Sequence, residues 1–485
     1  MKRNIVLKIY TLLLSVTIGL SSCKDFLEVY PHDGLVQETA INNMTKANAA
    51  LNGVYYRLMA AQLYGTDLIS WGEVRGDDMG TTRQGDRTTE LYEFAHTTPL
   101  NYRTSFWSYM YNGLVRVNML LEAIEKNEIV IETEDDEKIL NDIKGQALAL
   151  RALFHFDIVK THGEPYLKNK NAYGAVIADR VILDSEKPQR STVEDTYNFI
   201  VNDLKAALGL VGTEKTPFTF NIWSVKAFLC KVYLYQGNWE EAYNLGKDVI
   251  TNGGYTLISN ANYTASWSLE FTSESVFEIH SSETYNADRE GIGYVMLPRI
   301  GDNGGYGAIS ATEDFIALMN EDPSDVRLSI MKTNDQGVDE AYIVKYPGRG
   351  GNSYVNNARV IRLSDIYLMV AEAGVHTGKS DASTYLNEIR KRANPAVSDV
   401  TATLELVEKE RRKELVGEGH RYFDIIRNLQ NKSVARKGVA SNPVVSDEVP
   451  VISWNNADTH RLILPISQTE IETNPDIYQN AGYTN

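Results

Sequence analysis

NIWSVKAFLCKVYLYQGNWEEAYNLGKDVITNGG, residues 221–254, decides the fold. Ile222, Val225, Phe228, Leu229, Val232, Tyr233 and Leu234 make the first half apolar nearly all round, the pattern of a helix buried between neighbours. Gly237-Asn238 interrupts it with a residue suited to a left-handed cap. Trp239, Ala242, Leu245, Val249 and Ile250 then mark one face of a second helix, stopped at Gly253-Gly254. The pair fits the tetratricopeptide pattern: Leu229 and Tyr233 at large positions, Cys230 where two helices cross closely, Trp239 and Ala242 at the aromatic and small positions. One such unit cannot bury its apolar face alone, so further pairs must stack on it.

Moving outward, helical periodicity recurs over 45–63, 106–126, 139–160, 192–210 and 403–430, with a second tetratricopeptide-like pair over 364–393 in which Ala382 sits one place off the pattern. Thr192 with Asp195 gives a capping-box-like start. The helical scaffold is therefore placed at 45–63, 106–254 and 364–430. Residues 64–102, rich in Gly, Asp, Thr and Arg, read as long functional loops rather than an element. From 255 to 360 the chain is again irregular, with strands expected at 275–280 and 341–346 and a short helix at 312–319.

The N-terminus is read apart from the fold. Lys2, Arg3 and Lys8 precede a short apolar run, and Leu20-Ser21-Ser22-Cys23 resembles the lipobox of bacterial lipoproteins, so residues 1–22 are expected to be a signal peptide and Cys23 the lipidated residue. The run is too short to span a bilayer. Loss of the peptide leaves Cys230 as the one unmodified cysteine, which excludes an intrachain disulfide. A net charge of −16 argues against nucleic acid as a partner.

Taken together, several stretches carry a resemblance: the lipobox followed by KDFLEV and Pro31, GQALALRALFHFDIVKTHGEPYL (145–167), IRLSDIYLMVAEA (361–373), ERRKELVGEGHRYFDIIR (410–427) and RLILPISQTEIETNPDIYQNAGY (461–483). They resemble the SusD/RagB family of Bacteroidetes outer-membrane lipoproteins, in order and over essentially the whole chain. One departure is Ala481, where the family's ending carries proline. The resemblance implies one domain over 23–485: a mainly α scaffold of about four tetratricopeptide-like pairs with a loop-rich, ligand-facing part holding a few short strands. It further implies a non-enzymatic protein on the outer membrane, facing outward, that binds an oligosaccharide or polysaccharide and delivers it to a TonB-dependent, SusC-like barrel. Peptide binding in the RagB manner, or a structural lid without its own ligand, are the alternatives.

Sugar capture needs flat aromatic faces and planar polar groups. Trp71 with Asp77, Asp78 and Arg83 is the first candidate site, although core packing is the competing reading for the tryptophan. Tyr285, Asn286 and Arg289 form the second, with Tyr294 and Tyr306 behind them; Trp267 is read as packing beneath the strand. No cofactor, metal or catalytic group is expected. Gly378-Lys379-Ser380 lacks the earlier glycine of a phosphate loop (Ala373 stands there), and Gly291-Ile292-Gly293 lacks its third glycine. Asp77, Asp78 and Asp86 lack calcium-loop spacing, and His155 with His162 reads as packing. Glu410, Arg411, Arg412, Glu414 and Arg427 read as a solvated or ion-paired helix face.

Overall fold

Eleven of the helices carry the argument: α1 Met44–Leu58, α2 Asp67–Val74, α3 Phe106–Glu125, α4 Glu134–His162, α5 Val193–Leu208, α6 Ile222–Gln236, α7 Trp239–Asn252, α8 Leu363–His376, α9 Ala382–Ala393, α10 Leu404–Leu415 and α11 Arg421–Arg427. They come from a computed structural model that describes residues 41–82, 87–99, 105–298, 304–333, 340–431, 452–455 and 459–483. The expected signal peptide, residues 1–22, and Cys23, the residue expected to carry the lipid, lie outside the described residues.

From α3 to α9 each helix packs on the next, and α1 lies against α3 and α4. The pair α6–α7 turns at Gly237, whose φ of +72° is the left-handed conformation that glycine adopts without penalty. Asn221 caps α6 by accepting from the Trp223 and Ser224 amides, while Ser224 accepts in return. At the crossing of α6, α7 and α8, Cys230 donates to the Ala242 carbonyl. A Cβ on Gly246 would stand 2.5 Å from Val370 and 3.1 Å from the Cys230 sulfur, so the small residues set how close the helices come. The pair α8–α9 closes the same way, with the space at Gly374 filled by Ala382. Caps expected from sequence are present: Thr192 accepts from the Asp195 amide at the start of α5.

Three two-stranded antiparallel sheets sit beside the helices. Strand β1 (Met79–Thr81) pairs with β3 (Ile309–Ala311), β2 (Ser275–Ile279) with β6 (Ala358–Arg362), and β4 (Met331–Thr333) with β5 (Ala341–Ile343). The β1–β3 pairing fixes the segment after α2 to the irregular region before residue 310. It is reinforced where the Thr312 hydroxyl donates to the Asp77 carbonyl and the Thr82 amide to the Ala308 carbonyl.

Residues 64–102 differ from the expected loop. They contain α2, every residue of which is buried, strand β1 and a helical turn at Thr89–Tyr92. The physical reason lies in the 410–427 stretch. Its charged face is ion-paired but not solvated: Glu410, Arg411, Glu414, Glu418, Arg421, Asp424 and Arg427 are all buried. Glu414 meets Arg392 at 2.5 Å, Arg362 at 3.1 Å and Arg327 at 3.3 Å. Arg411 joins Asp365 to Asp424, and Arg427 joins Glu372 to Asp424. Charges this deep hold only when mutually paired and hydrogen-bonded. The network binds the last helices to β6, α8 and the segment after α2, and forces that segment into the core.

Candidate functional site

Trp71 is corrected from ligand platform to core residue. Its side chain is 1% exposed, packs edge-on against Phe106 and Tyr422, and carries the Arg75 guanidinium 3.9 Å over its ring. Asp77 and Asp78 are corrected with it. Asp77 accepts from Arg421 at 2.8 Å, and Asp78 accepts from the Arg412 Nε at 2.8 Å. Burial is the main influence on the Asp78 carboxyl, pushing it upward against the pull of Arg412. Both aspartates are buried and ion-paired, turned away from the surface. Arg83 and Asp86 lie outside the described residues.

The tyrosines of the second segment come together instead. Tyr294 and Tyr306 meet at right angles with ring centroids 4.7 Å apart, and Tyr354 stands 5.2 Å from Tyr294. All three are half-buried. The arrangement begins with a short helix, Ile292–Met296, which returns on itself so that the Tyr306 amide donates to the Tyr294 carbonyl at 2.7 Å. Gly305 makes this approach possible, since a Cβ there would stand 2.3 Å from the Tyr294 carbonyl oxygen. Exposed Arg289 hydrogen-bonds the Tyr354 phenol, which raises its already high pKa. The Arg87 guanidinium lies 4.3 Å over the Tyr306 ring and is ion-paired with Glu290. Perpendicular aromatic faces with a planar cation beside them present what a pyranose needs: a surface for its C–H face and donors for its oxygens.

Tyr285 forms a separate exposed patch. Its hydroxyl donates to the Tyr56 carbonyl at 2.6 Å, and its ring stands 4.7 Å from that of Tyr56 on the outer face of α1. Exposures of 38% and 48% leave both rings available. Asn286 is a positioning residue here rather than a free contact: its amide group donates to the Ser282 carbonyl and its oxygen accepts from the Asp288 amide. Trp267 packs inside, as expected, with Arg359 4.2 Å over its ring.

Sequence reasoning missed Tyr354, Arg87 and Tyr56. Tyr354 lies in GRGGNSYVNNA, where glycine spacing signals only a loop. Tyr56 had a usable signal, a large aromatic one residue away from the apolar face of α1. His155 is a satisfied packing residue: its Nδ1 bonds the Arg151 carbonyl, its Nε2 accepts from the Ala178 amide, and burial lowers its pKa to about 4. Among the described residues no group of acidic, histidine and cysteine side chains is arranged to hold a metal, and no helix is long and apolar enough to cross a membrane.

Two family profiles match the chain: the one described as SusD family over residues 324–483, and the one described as starch-binding associating with outer membrane over residues 25–234. The chain is similar to the solved structure of a putative sugar binding protein from Bacteroides vulgatus, with 36% identity, 92% of this chain and 100% of that chain covered, and a TM-score of 0.84. A SusD superfamily protein from Bacteroides thetaiotaomicron is 33% identical over 90% and 99% of the two chains, with a TM-score of 0.82. Among curated proteins, SusD-like protein P38 of Formosa agariphila is 24% identical over 98% of each chain.

Proposed function

Because the chain belongs to the SusD/RagB family, we propose that it captures an oligosaccharide or polysaccharide at the cell surface and delivers it to a partner TonB-dependent, SusC-like barrel of the outer membrane. A lipid on Cys23 serves as the anchor in this reading. The observation that carries it is the cluster of Tyr294, Tyr306 and Tyr354, three half-buried rings within 5.2 Å of their nearest neighbour and flanked by Arg289. A relative described as a putative sugar binding protein and a matched family described as starch-binding associating with outer membrane support the choice of ligand class.

The act is binding without bond cleavage. Stacking and a few hydrogen bonds give modest affinity, which suits a protein that must release its cargo. Dissociation constants are expected between about 1 μM and 1 mM, or roughly −8 to −4 kcal/mol.

Affinity electrophoresis against a panel of plant, host and microbial polysaccharides tests this. Retardation by at least one polymer, reduced in Tyr294→Ala, is the expected outcome. A panel with no retardation, or binding only to peptide mixtures, sinks the reading.

A further inference from the structure

The chain holds 48 basic residues against 64 acidic ones, so a guanidinium can be expected to meet a carboxylate. Arg57 at the end of α1 and Arg116 on α3 do not: among the described residues neither takes part in a salt bridge. The Arg57 guanidinium lies 4.3 Å over the Tyr109 ring, and its Nε is buried without a hydrogen-bond partner. Tyr109, Asn112 and Arg116 follow one another along one face of α3 at helical spacing, with the Arg116 Nε donating to Asn112 at 3.2 Å. The Arg116 terminal nitrogens are left to solvent. Burial first, and Arg116 with it, holds Arg57 below its ordinary pKa. The Tyr285 phenol feels both cations. Like charges close enough to influence one another cost energy unless an anion joins them.

Resting on the glycan reading above, we infer that the surface framed by Arg57, Arg116, Tyr56, Tyr109 and Tyr285 is a subsite for an acidic sugar, in which the arginine pair takes a uronate carboxylate or a sulfate ester. The exposed Tyr56 and Tyr285 rings supply the apolar platform for the same residue of the glycan. A planar guanidinium matches carboxylate and sulfate geometry through paired donors, which a hydroxyl cannot exploit equally. The tyrosines separate this site from a mere charge patch: a polyanion without sugar rings gains nothing from them.

The test uses the full-length protein in mild detergent, with polygalacturonate, its methyl ester, a sulfated galactan, a neutral β-glucan and polyglutamate as probes. The free acid or the sulfated polymer is expected to bind at least tenfold tighter than the uncharged polymers, and which of the two binds identifies the anionic group. That margin should vanish in Arg116→Gln, persist in part in Arg116→Lys, shrink in 0.5 M salt and shrink in Tyr285→Ala. Arg116 is exposed, so its variants are expected to keep the wild-type melting temperature. Methyl ester binding as tightly as free acid, with Arg116→Gln silent, overturns this inference and leaves glycan capture standing. Polyglutamate held as tightly as any polysaccharide, with Tyr285→Ala silent, reduces the surface to charge and also overturns it. Binding to none of these polymers overturns this inference, while glycan capture stands or falls on the wider polysaccharide panel.

Discussion

Replacing Arg362 by Met tests whether the buried charge network holds the molecule together. Arg362 is 2% exposed and reaches Glu418 at 2.7 Å, Glu274 at 3.0 Å and Glu414 at 3.1 Å. The cluster joined to it contains the cations Arg327, Lys345, Arg362 and Arg392 and the carboxylates Glu274, Asp325, Glu410, Glu414 and Glu418. Four cations thus face five acids, and Arg362→Met leaves three facing five. Methionine fills most of the volume, so the cost is electrostatic rather than a cavity. Removing one partner from a buried pair costs about 3–5 kcal/mol. With an unfolding entropy of about 2 cal/mol/K per residue, a chain of this length loses about 1 kcal/mol per degree, so the melting midpoint should fall by about 4 °C. Glu414→Gln supplies the internal comparison, because it leaves four cations facing four acids and keeps a hydrogen-bonding side chain. It should cost less. Differential scanning calorimetry at neutral pH gives both numbers. A midpoint for Arg362→Met equal to or above the wild type, or a larger loss for Glu414→Gln, would refute the charge-balance reasoning.

Two further predictions concern residues 64–102. Burial pushes the Glu73 carboxyl up to about 8, against backbone donors from Gly417, Gly419 and His420. A raised native pKa stabilises most at pH below the unfolded value of about 4.5, and that contribution is lost as pH rises through about 8. Glu73→Gln, which mimics the protonated form, should therefore gain on the wild type in melting temperature as pH climbs from 5 to 8; parallel profiles would show that Glu73 is ionised in the fold. Trp71→Ala should destabilise by about 3–5 kcal/mol, as large core truncations do. Any protein that still folds should bind ligand normally, so a stable Trp71→Ala variant with lost binding contradicts the placement of Trp71 in the core.

The scaffold was legible because periodicity and caps agree with each other. In 221–254 the apolar pattern, Asn221, Gly237 and the small Cys230 all point to one helical pair, and the structure builds that pair. The segment DLISWGEV was not legible for the opposite reason. It spans two turns, it is buried on every side, and one oxygen of its inward polar group Glu73 accepts from the backbone of Gly419 and His420, far along the chain. Likewise ERRKELVGEGHRYFDIIR gives the same charge spacing whether it faces water or Asp77, Asp78 and Asp365, because those partners lie in other segments. Among candidate residues, Tyr294 and Tyr306 were named as aromatics in the irregular segment that follows the strand expected at 275–280. What sequence withheld was their meeting with Tyr354, which depends on the close return of the chain at Gly305.

Isothermal titration of the full-length protein with an oligosaccharide of whichever polymer retards it, beside the Tyr294→Ala/Tyr306→Ala double variant, tests glycan capture most directly. If each sugar–ring contact is worth about as much as an aromatic pair, roughly 0.5–1.5 kcal/mol beyond area burial, the double variant should lose at least tenfold in affinity while its melting temperature stays near that of the wild type. Unchanged affinity in a folded double variant would contradict the assignment of the tyrosine cluster as the capture surface.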